Sequence, residues 1–207
     1  MPRYAISDIH GCSKTFATLL ARLKLQKSDE LYLLGDYVDR GPDSVGVIGQ
    51  IMDLQQRGYN VQCLKGNHEE MTIDAYQRQA YHRHGYSDQH IRWMMNLADY
   101  LEIPGYILVH AGLNFAVENP LEDTKEMRWI RYWIEDIDRL WLGDRVIVHG
   151  HTPQSYLETR RDVNNVDTVP AICIDAGCAF QARNLGYLVA LDLDTLEVHS
   201  LRRIDLV

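Results

Sequence analysis

Residues 31–42 read Leu-Tyr-Leu-Leu-Gly-Asp-Tyr-Val-Asp-Arg-Gly-Pro and join an apolar run to a polar turn. Short apolar runs bounded by glycine and proline are typical of buried strands. A helix is expected next, because apolar residues between positions 47 and 54 recur at the spacing of one helix face. The stretch therefore predicts a strand, a polar turn and a helix in succession.

The same order recurs along the chain. Four more runs rich in apolar residues end in polar, glycine-containing segments, at residues 4–6, 61–64, 106–109 and 145–148. Helices are expected from Ser13, as the capping residue, and from about Glu70. Ligands of α/β sheets bind beyond the carboxyl ends of the strands, so we expect an α/β fold in which the five polar ends meet.

The amino-acid composition excludes several classes of function and partner. The 207 residues carry 21 Lys and Arg against 29 Asp and Glu, and this net charge of −8 argues against nucleic-acid and membrane partners. The hydrophobic fraction of 46% excludes a disordered chain. No apolar stretch approaches the roughly 20 residues of a membrane helix, no signal-peptide pattern opens the chain, and the four cysteines stand singly. We expect a single cytoplasmic domain over residues 1–207.

The polar strand ends offer oxygen and nitrogen ligands and no thiolate. The candidates are Asp8, His10, Asp36, Asn67, His110 and either His149 or His151. Such ligands suit manganese, iron(II) or zinc, and a carboxylate such as Asp36 can bridge two ions. Two ions so placed activate water and neutralise charge on a phosphoryl group, so the pattern favours hydrolysis of phosphate esters.

Three neighbouring residues fit the same chemistry. Arg40 offers a permanently charged fork that matches phosphate oxygens. His68, next to the candidate ligand Asn67, is a candidate proton donor to the leaving oxygen, and Asp39 is a candidate partner that holds the His68 ring in one tautomer.

Five segments together resemble the signature blocks of the phosphoprotein phosphatase family, within the calcineurin-like metallophosphoesterases. In order they are Ser-Asp-Ile-His-Gly at 7–11, Gly-Asp-Tyr-Val-Asp-Arg-Gly at 35–41, Gly-Asn-His-Glu at 66–69, His-Ala-Gly at 110–112 and Gly-His-Thr at 150–152. The similarity extends to the short bacterial and phage branch, typified by a bacteriophage lambda phosphatase, through residues 66–74 and 174–180. Ser7 and Ala111 depart from glycines usual in the family.

The resemblance implies two divalent metal ions, most simply Mn²⁺, with iron or zinc as alternatives. It implies Asp8, His10 and Asp36 at the first ion and Asp36, Asn67, His110 and His151 at the second, with His149 outside. It also implies His68 as general acid paired with Asp39, and Arg40, Asn67 and a second arginine on the phosphate. The spacing Trp129-Ile130-Arg131 indicates Arg131, with Arg128 as the alternative. The implied architecture is a sandwich of two mixed sheets flanked by helices.

The expected function is that of a phosphomonoesterase acting on phosphoserine, phosphothreonine or phosphotyrosine in a phosphoprotein or phosphopeptide. The implied mechanism is direct attack by a hydroxide that bridges the two metals, and no obligatory regulatory subunit is expected.

Two alternatives stay open. One is a symmetrical bis(5'-nucleosyl)-tetraphosphatase, whose family has Gly-Asn-His-Asp in the third block and commonly lacks a carboxylate at the position of Asp39; Glu69 and Asp39 therefore favour the phosphatase. The other is a non-catalytic metal-binding regulator.

Two further segments carry expectations. Aromatic and aliphatic residues between 127 and 142 recur at helical spacing and predict a helix packed on the core. The segment 76–93, which contains His82, His84 and His90, is expected to form a polar helix or lid that shapes substrate choice.

Overall fold

The computed structural model describes residues 1–79 and 85–206. Its strands are β1 (Arg3–Ile6), β2 (Glu30–Leu33), β3 (Asn60–Cys63), β4 (Tyr100–Ile103), β5 (Tyr106–Val109), β6 (Val146–His149), β7 (Ala171–Cys173), β8 (Tyr187–Asp192) and β9 (Val198–Arg202). Its α-helices are α1 (Ser13–Leu23), α2 (Ser44–Gln56), α3 (Asn67–Gln77), α4 (Asp88–Met95), α5 (Glu126–Trp129), α6 (Arg139–Leu142) and α7 (Tyr156–Asn164). Within these residues, no helix has the length and apolar character needed to cross a bilayer.

The strands form two mixed sheets. The first has the order β3-β2-β1-β8-β9, in which β1, β2 and β3 are parallel while β8 runs antiparallel to both neighbours. The second has the order β4-β5-β6-β7, in which β5, β6 and β7 are parallel and β4 is antiparallel. The expected α/β sandwich of two mixed sheets is confirmed.

Side chains alternate across the strands, and this alternation builds the layers. In β1, Ala5 belongs to the cluster shared by the two sheets, whereas Tyr4 and Ile6 pack in a second cluster with residues of α1 and α2. In β5, Leu108 joins the cluster between the sheets, while its neighbour Val109 packs in a third cluster on the outer face. The polar turns that follow the parallel strands of both sheets therefore open at one edge of a rigid sandwich.

Helix α1 begins at Ser13, but Ser13 is not its cap. Cys12 occupies the N-cap position and supplies no side-chain hydrogen bond. Instead, the buried carboxylate of Asp205 accepts from the backbone N–H groups of Lys14 and Thr15, both at 2.9 Å, and from the Thr15 hydroxyl. A residue from the far end of the chain therefore satisfies the first turn, which no local pattern could predict.

The expected helix over 127–142 is wrong. The segment contains two four-residue helices, α5 and α6, separated by a 3₁₀ turn at Ile134–Asp136. Trp133 is buried, whereas Trp129 and Ile134 are exposed, so the apolar residues do not share one face. Helix α3 also begins earlier than expected, at Asn67 rather than near Glu70.

Removal of the remote cap should weaken the fold measurably. We expect Asp205→Ala to lower the free energy of unfolding by about 1–2 kcal/mol, because two N–H groups at the positive end of α1 lose their acceptor. Urea denaturation followed by circular dichroism measures the change. The matched variant Asp167→Ala alters an exposed aspartate outside the helices and should cost less than about 0.5 kcal/mol; an equally small loss for Asp205→Ala would contradict the capping role.

Candidate metal centre

Non-glycine residues with left-handed backbone cluster at the edge where the polar turns meet. The φ angles are +53° at Asp8, +47° at His10, +56° at Asp36, +66° at Asp39, +65° at Arg40 and +69° at His151. This region costs side chains of order 1–3 kcal/mol per residue and persists only where the surroundings fix it. All six are predicted site residues, so the strain lies where side-chain direction matters most.

Backbone hydrogen bonds hold the first two turns together. The N–H groups of Asp8, His10 and Gly11 donate to the carbonyls of residues 35, 36 and 37 at 3.2, 2.9 and 2.8 Å. The buried Glu69 carboxylate adds a second clamp by accepting from the N–H groups of Gly66 at 2.9 Å and of Asp36 and Tyr37 at 2.8 Å. Glu69 is therefore a positioning residue that joins α3 to the turn after β2.

Two groups of potential ligands share Asp36. In the first, His10 Nε2 lies 3.5 Å from Asp36 Oδ2 and 3.9 Å from Asp8 Oδ1. In the second, His110 Nε2 lies 3.4 Å from Asp36 Oδ1, and the Asn67 amide oxygen lies 3.1 Å from His110 Nε2 and 2.9 Å from His151 Nδ1. The two oxygens of Asp36 thus face different groups, as a bridging ligand requires.

The tautomers of two histidines test whether cations fit. Nδ1 of His10 lies 2.8 Å from the Val38 carbonyl, and Nδ1 of His110 lies 2.8 Å from the Leu34 carbonyl. A carbonyl only accepts, so Nδ1 carries the proton in both rings. Burial lowers the pKa of His10 to about 4 and lowers that of His110, so both rings are neutral and their Nε2 lone pairs face carboxylate oxygens. Cations placed between the Nε2 lone pairs and the carboxylate oxygens would be bound by both kinds of acceptor.

The electrostatics of the carboxylates point the same way. Burial, followed by the charges of Asp8 and Glu69, raises the pKa of Asp36 well above its ordinary value.

The backbone also approaches these carboxylates closely: a Cβ at Gly66 would lie 2.2 Å from Asp36 Oδ1, and one at Gly150 would lie 2.1 Å from Asp8 Oδ2. Oxygen and nitrogen donors without thiolate fit two divalent cations held by the predicted ligands.

His68 lies close enough to His10 and Asp36 to form a potential ligand group with them, but its contacts differ from those of the other histidines. Its Nδ1 lies 2.7 Å from Asp39 Oδ2, and its Nε2 lies 3.3 Å from Arg40 Nη2 and 3.9 Å from Asp36 Oδ2. The carboxylate of Asp39 accepts from Nδ1–H and so fixes the tautomer and orientation of the ring, as the predicted acid–carboxylate pair requires.

The two candidate arginines lie in different surroundings. Arg128 forms ion pairs with Glu70, at 2.9 Å, and with Asp99. Arg131 is exposed and forms no ion pair with the described part of the chain. Burial lowers the pKa of His151 to about 3, with further lowering from His110 and Arg131, which places the Arg131 charge near the second ligand group. Arg131 therefore stays the predicted phosphate ligand, while Arg128 serves the fold.

The remaining predictions fall outside the two groups. His149 is buried, with Nδ1 3.2 Å from the Gly150 carbonyl and its ring edge-on to Trp133 at 5.0 Å, and it belongs to neither group. His82 and His84 lie outside the described residues, so the expected lid is described only in part.

Sequence reasoning missed two residues at the site. Asp175 is buried, and burial and the charge of Asp8 raise its pKa well above the ordinary value. The Phe180 ring lies 4.9 Å from the Arg40 guanidinium carbon. Both follow β7, and only the position of Asp175 after an apolar run could have signalled a strand-end residue.

Most of this chain matches a known protein family. A family model described as "Calcineurin-like phosphoesterase" matches residues 1–184. A solved structure described as a putative diadenosine tetraphosphatase has a TM-score of 0.74 at 22% identity, covering 97% of this chain and 93% of that one. A yeast protein serine/threonine phosphatase has a TM-score of 0.71 at 14% identity, covering 100% and 81%. At these identities the structural matches establish the fold alone.

Curated relatives carry two kinds of name. A symmetrical bis(5'-nucleosyl)-tetraphosphatase of Buchnera aphidicola is 43% identical over 77 residues, which are 37% of this chain and 27% of that protein. One of Pseudomonas putida is 30% identical over 126 residues, 55% and 43% of the two chains. Serine/threonine-protein phosphatase 1 of Salmonella typhimurium is 33% identical over 101 residues, 47% and 39%. The chain thus spans less than half the length of these relatives.

Replacement of the shared ligand separates cation binding from folding. We expect manganese at about 100 times its Kd to stabilise the wild type by about 2.7 kcal/mol, or roughly 5–10 °C in the thermal midpoint. Asp36→Asn keeps an oxygen that can accept from the backbone N–H of His68, but it should lose most of the stabilisation by manganese. Asp175→Asn, a buried carboxylate outside both groups, should retain it. An equal response in all three proteins would contradict the bridging role of Asp36.

The same variant should change the pH dependence of stability without cations. Because the pKa of Asp36 is raised in the folded state, the unfolded chain ionises first as the pH rises above the ordinary carboxyl value. The wild type in EDTA should therefore lose stability from about pH 4 upward, and Asp36→Asn should lose less and be at least as stable at pH 7. Thermal midpoints between pH 4 and 8 measure this, and parallel curves would contradict it.

Proposed function

Because this chain belongs to the calcineurin-like phosphoesterase family, we propose that it is a metal-dependent hydrolase that cleaves symmetrical dinucleoside tetraphosphates into two nucleoside diphosphates. The observation that carries the hydrolytic chemistry is the pair of ligand groups that share Asp36. The names of the bis(5'-nucleosyl)-tetraphosphatase relatives support the substrate class.

The side chains divide the work of the reaction. Two divalent cations in this centre would place positive charge opposite the phosphoryl group and supply a nucleophile from water at neutral pH. Arg40 and Arg131 bind its non-bridging oxygens, and the Asn67 amide orients it between them. His68 donates a proton from Nε2 to the departing oxygen, and Asp39 keeps the His68 ring aligned through Nδ1.

The structure gives Glu69 a backbone-binding role that does not distinguish a protein phosphatase from a tetraphosphatase. Glu69 favoured that function as part of the third block, but its buried carboxylate accepts four backbone N–H groups and so serves the backbone rather than the substrate. Its presence therefore reflects the packing of the turn after β2. The names of the relatives then favour dinucleoside tetraphosphates.

A phosphoprotein phosphatase is the second candidate, and the His68–Asp39 pair is the observation that favours it. The 2.7 Å contact suits a strong proton donor. The alkoxide of serine or threonine is a strong base that needs such a donor, whereas a departing nucleoside diphosphate is a much weaker base.

A substrate panel decides between these candidates. With manganese present, we expect kcat/KM for diadenosine tetraphosphate to exceed that for phosphoserine, phosphothreonine and phosphotyrosine peptides by at least about tenfold, a difference of about 1.4 kcal/mol in transition-state binding. ADP should be the sole nucleotide product, measured by ion-exchange chromatography. A preference for peptides, or formation of ATP and AMP, would contradict the proposal, and absence of turnover on every substrate would favour a non-catalytic regulator.

The role of His68 is tested by varying the leaving group. We expect His68→Asn to lower kcat for an alkyl phosphate by about 10²–10⁴, and that for p-nitrophenyl phosphate much less, because nitrophenolate leaves without a proton. Asp39→Asn should lower kcat in the same direction by a smaller factor. Metal content, measured by mass spectrometry, should stay at the wild-type value in both variants. Equal losses on both substrates, or loss of metal, would remove His68 from the acid role.

A further inference from the structure

A cavity of about 460 Å³ lies between residues of the segments 180–186 and 202–206. The turn after β7 forms one wall, with Phe180, Gln181 and Leu185. The other wall is formed by Arg202, at the end of β9, and by Arg203 and the residues after it. The volume falls within the range of about 300–1,000 Å³ that is usual for small-molecule sites.

Phe180 connects this cavity to the reaction centre. Its ring lines the cavity and also lies 4.9 Å from the guanidinium carbon of Arg40. Arg40 in turn lies 3.3 Å from Nε2 of His68. If a substrate phosphate binds Arg40, only the Phe180 ring separates that phosphate from the cavity.

The charge of the cavity is opposite to that of the chain. The protein carries a net charge of −8, yet two arginines line this wall. Arg202 is exposed and has no ion pair with any described residue, and Arg203 donates Nη1 to the Ala179 carbonyl at 2.8 Å, a bond that leaves its charge unneutralised. Asp205 also lines the cavity, but its oxygens face the positive end of α1, which offsets part of its charge, and the two arginines outnumber it. The cavity therefore suits an anion.

We propose that this cavity, which we call the Phe180 cavity, binds the nucleoside diphosphate that leaves when the substrate is cleaved. The inference rests on the proposed function, because it places the scissile phosphate at Arg40. The phosphates beyond the cleaved bond then reach Arg202 and Arg203, whose guanidinium groups match phosphate oxygens. The Phe180 ring and the Gln181 amide contact the nucleoside through apolar surface and hydrogen bonds.

Calorimetry of the manganese-loaded full chain tests the cavity without turnover. The probes are ADP and inorganic phosphate, since both carry a terminal phosphate and only ADP extends beyond it. We expect Arg202→Ala to raise the ratio of the Kd for ADP to the Kd for phosphate about fivefold to tenfold, through loss of a charge-assisted contact. Arg202→Lys should restore part of the loss.

The matched control is Arg22→Ala on α1, which removes one exposed arginine charge away from the cavity lining. It should leave the ratio within about twofold, because a distant surface charge is largely screened by salt. An unchanged ratio in Arg202→Ala, an equal change in both variants, or failure of the wild type to bind ADP more tightly than phosphate would overturn the proposal.

These outcomes are separate from those of the substrate panel. Loss of the proposed function appears as a preference for phosphopeptides, whereas loss of the cavity appears in the ADP ratio alone. If an acidic phosphopeptide binds more tightly than ADP, and Arg202→Ala removes that advantage, the cavity belongs to a protein substrate and the nucleoside assignment is overturned.

Discussion

The whole edge of the sandwich depends on one constraint: buried acceptor atoms converge on Asp36, and no cationic side chain among the described residues lies between them. Its two oxygens face Nε2 of His10 and of His110, and both nitrogens present lone pairs because backbone carbonyls hold the protons on the opposite side of each ring. Burial makes this arrangement costly in isolation. These buried acceptors lower the free energy of unfolding, and divalent cations bound between them would restore it. The same ligands therefore link stability to catalysis.

Hydrogen bonds between the ligand turns hold these acceptors in place. Backbone hydrogen bonds tie the turn after β1 to the turn after β2, and Glu69 joins both to the start of α3. The N–H of His151 donates to Asp8 Oδ2 at 3.0 Å, so a turn of the second sheet is bonded to a ligand of the first. Side chains in left-handed backbone keep their direction because these contacts over-determine the turns, and the metal centre is in this sense a property of both sheets.

Local patterns in the sequence predicted the strands and their polar ends well, because a buried strand followed by a glycine-containing turn is encoded within a few residues. They failed where distant segments decide the structure. The acceptor for α1 is Asp205, 190 residues from Thr15. The region 127–142 has helical spacing, but core contacts bury Trp133 and leave Ile134 exposed. The role of Glu69 was missed for the same reason, since its partners become visible only when α3 packs on the turn after β2.

The position of Asp205 also orders events during synthesis on the ribosome. Helix α1 is complete in sequence after residue 23, yet Asp205, the acceptor for its first turn, is translated much later. Strand β1 likewise waits for β8 to pair along its other edge. Contacts of such long sequence separation are slow to form because loop closure precedes them. The emerging chain is therefore expected to leave the first turn of α1 without its acceptor, and one edge of β1 unpaired, until β8 and Asp205 have been synthesised.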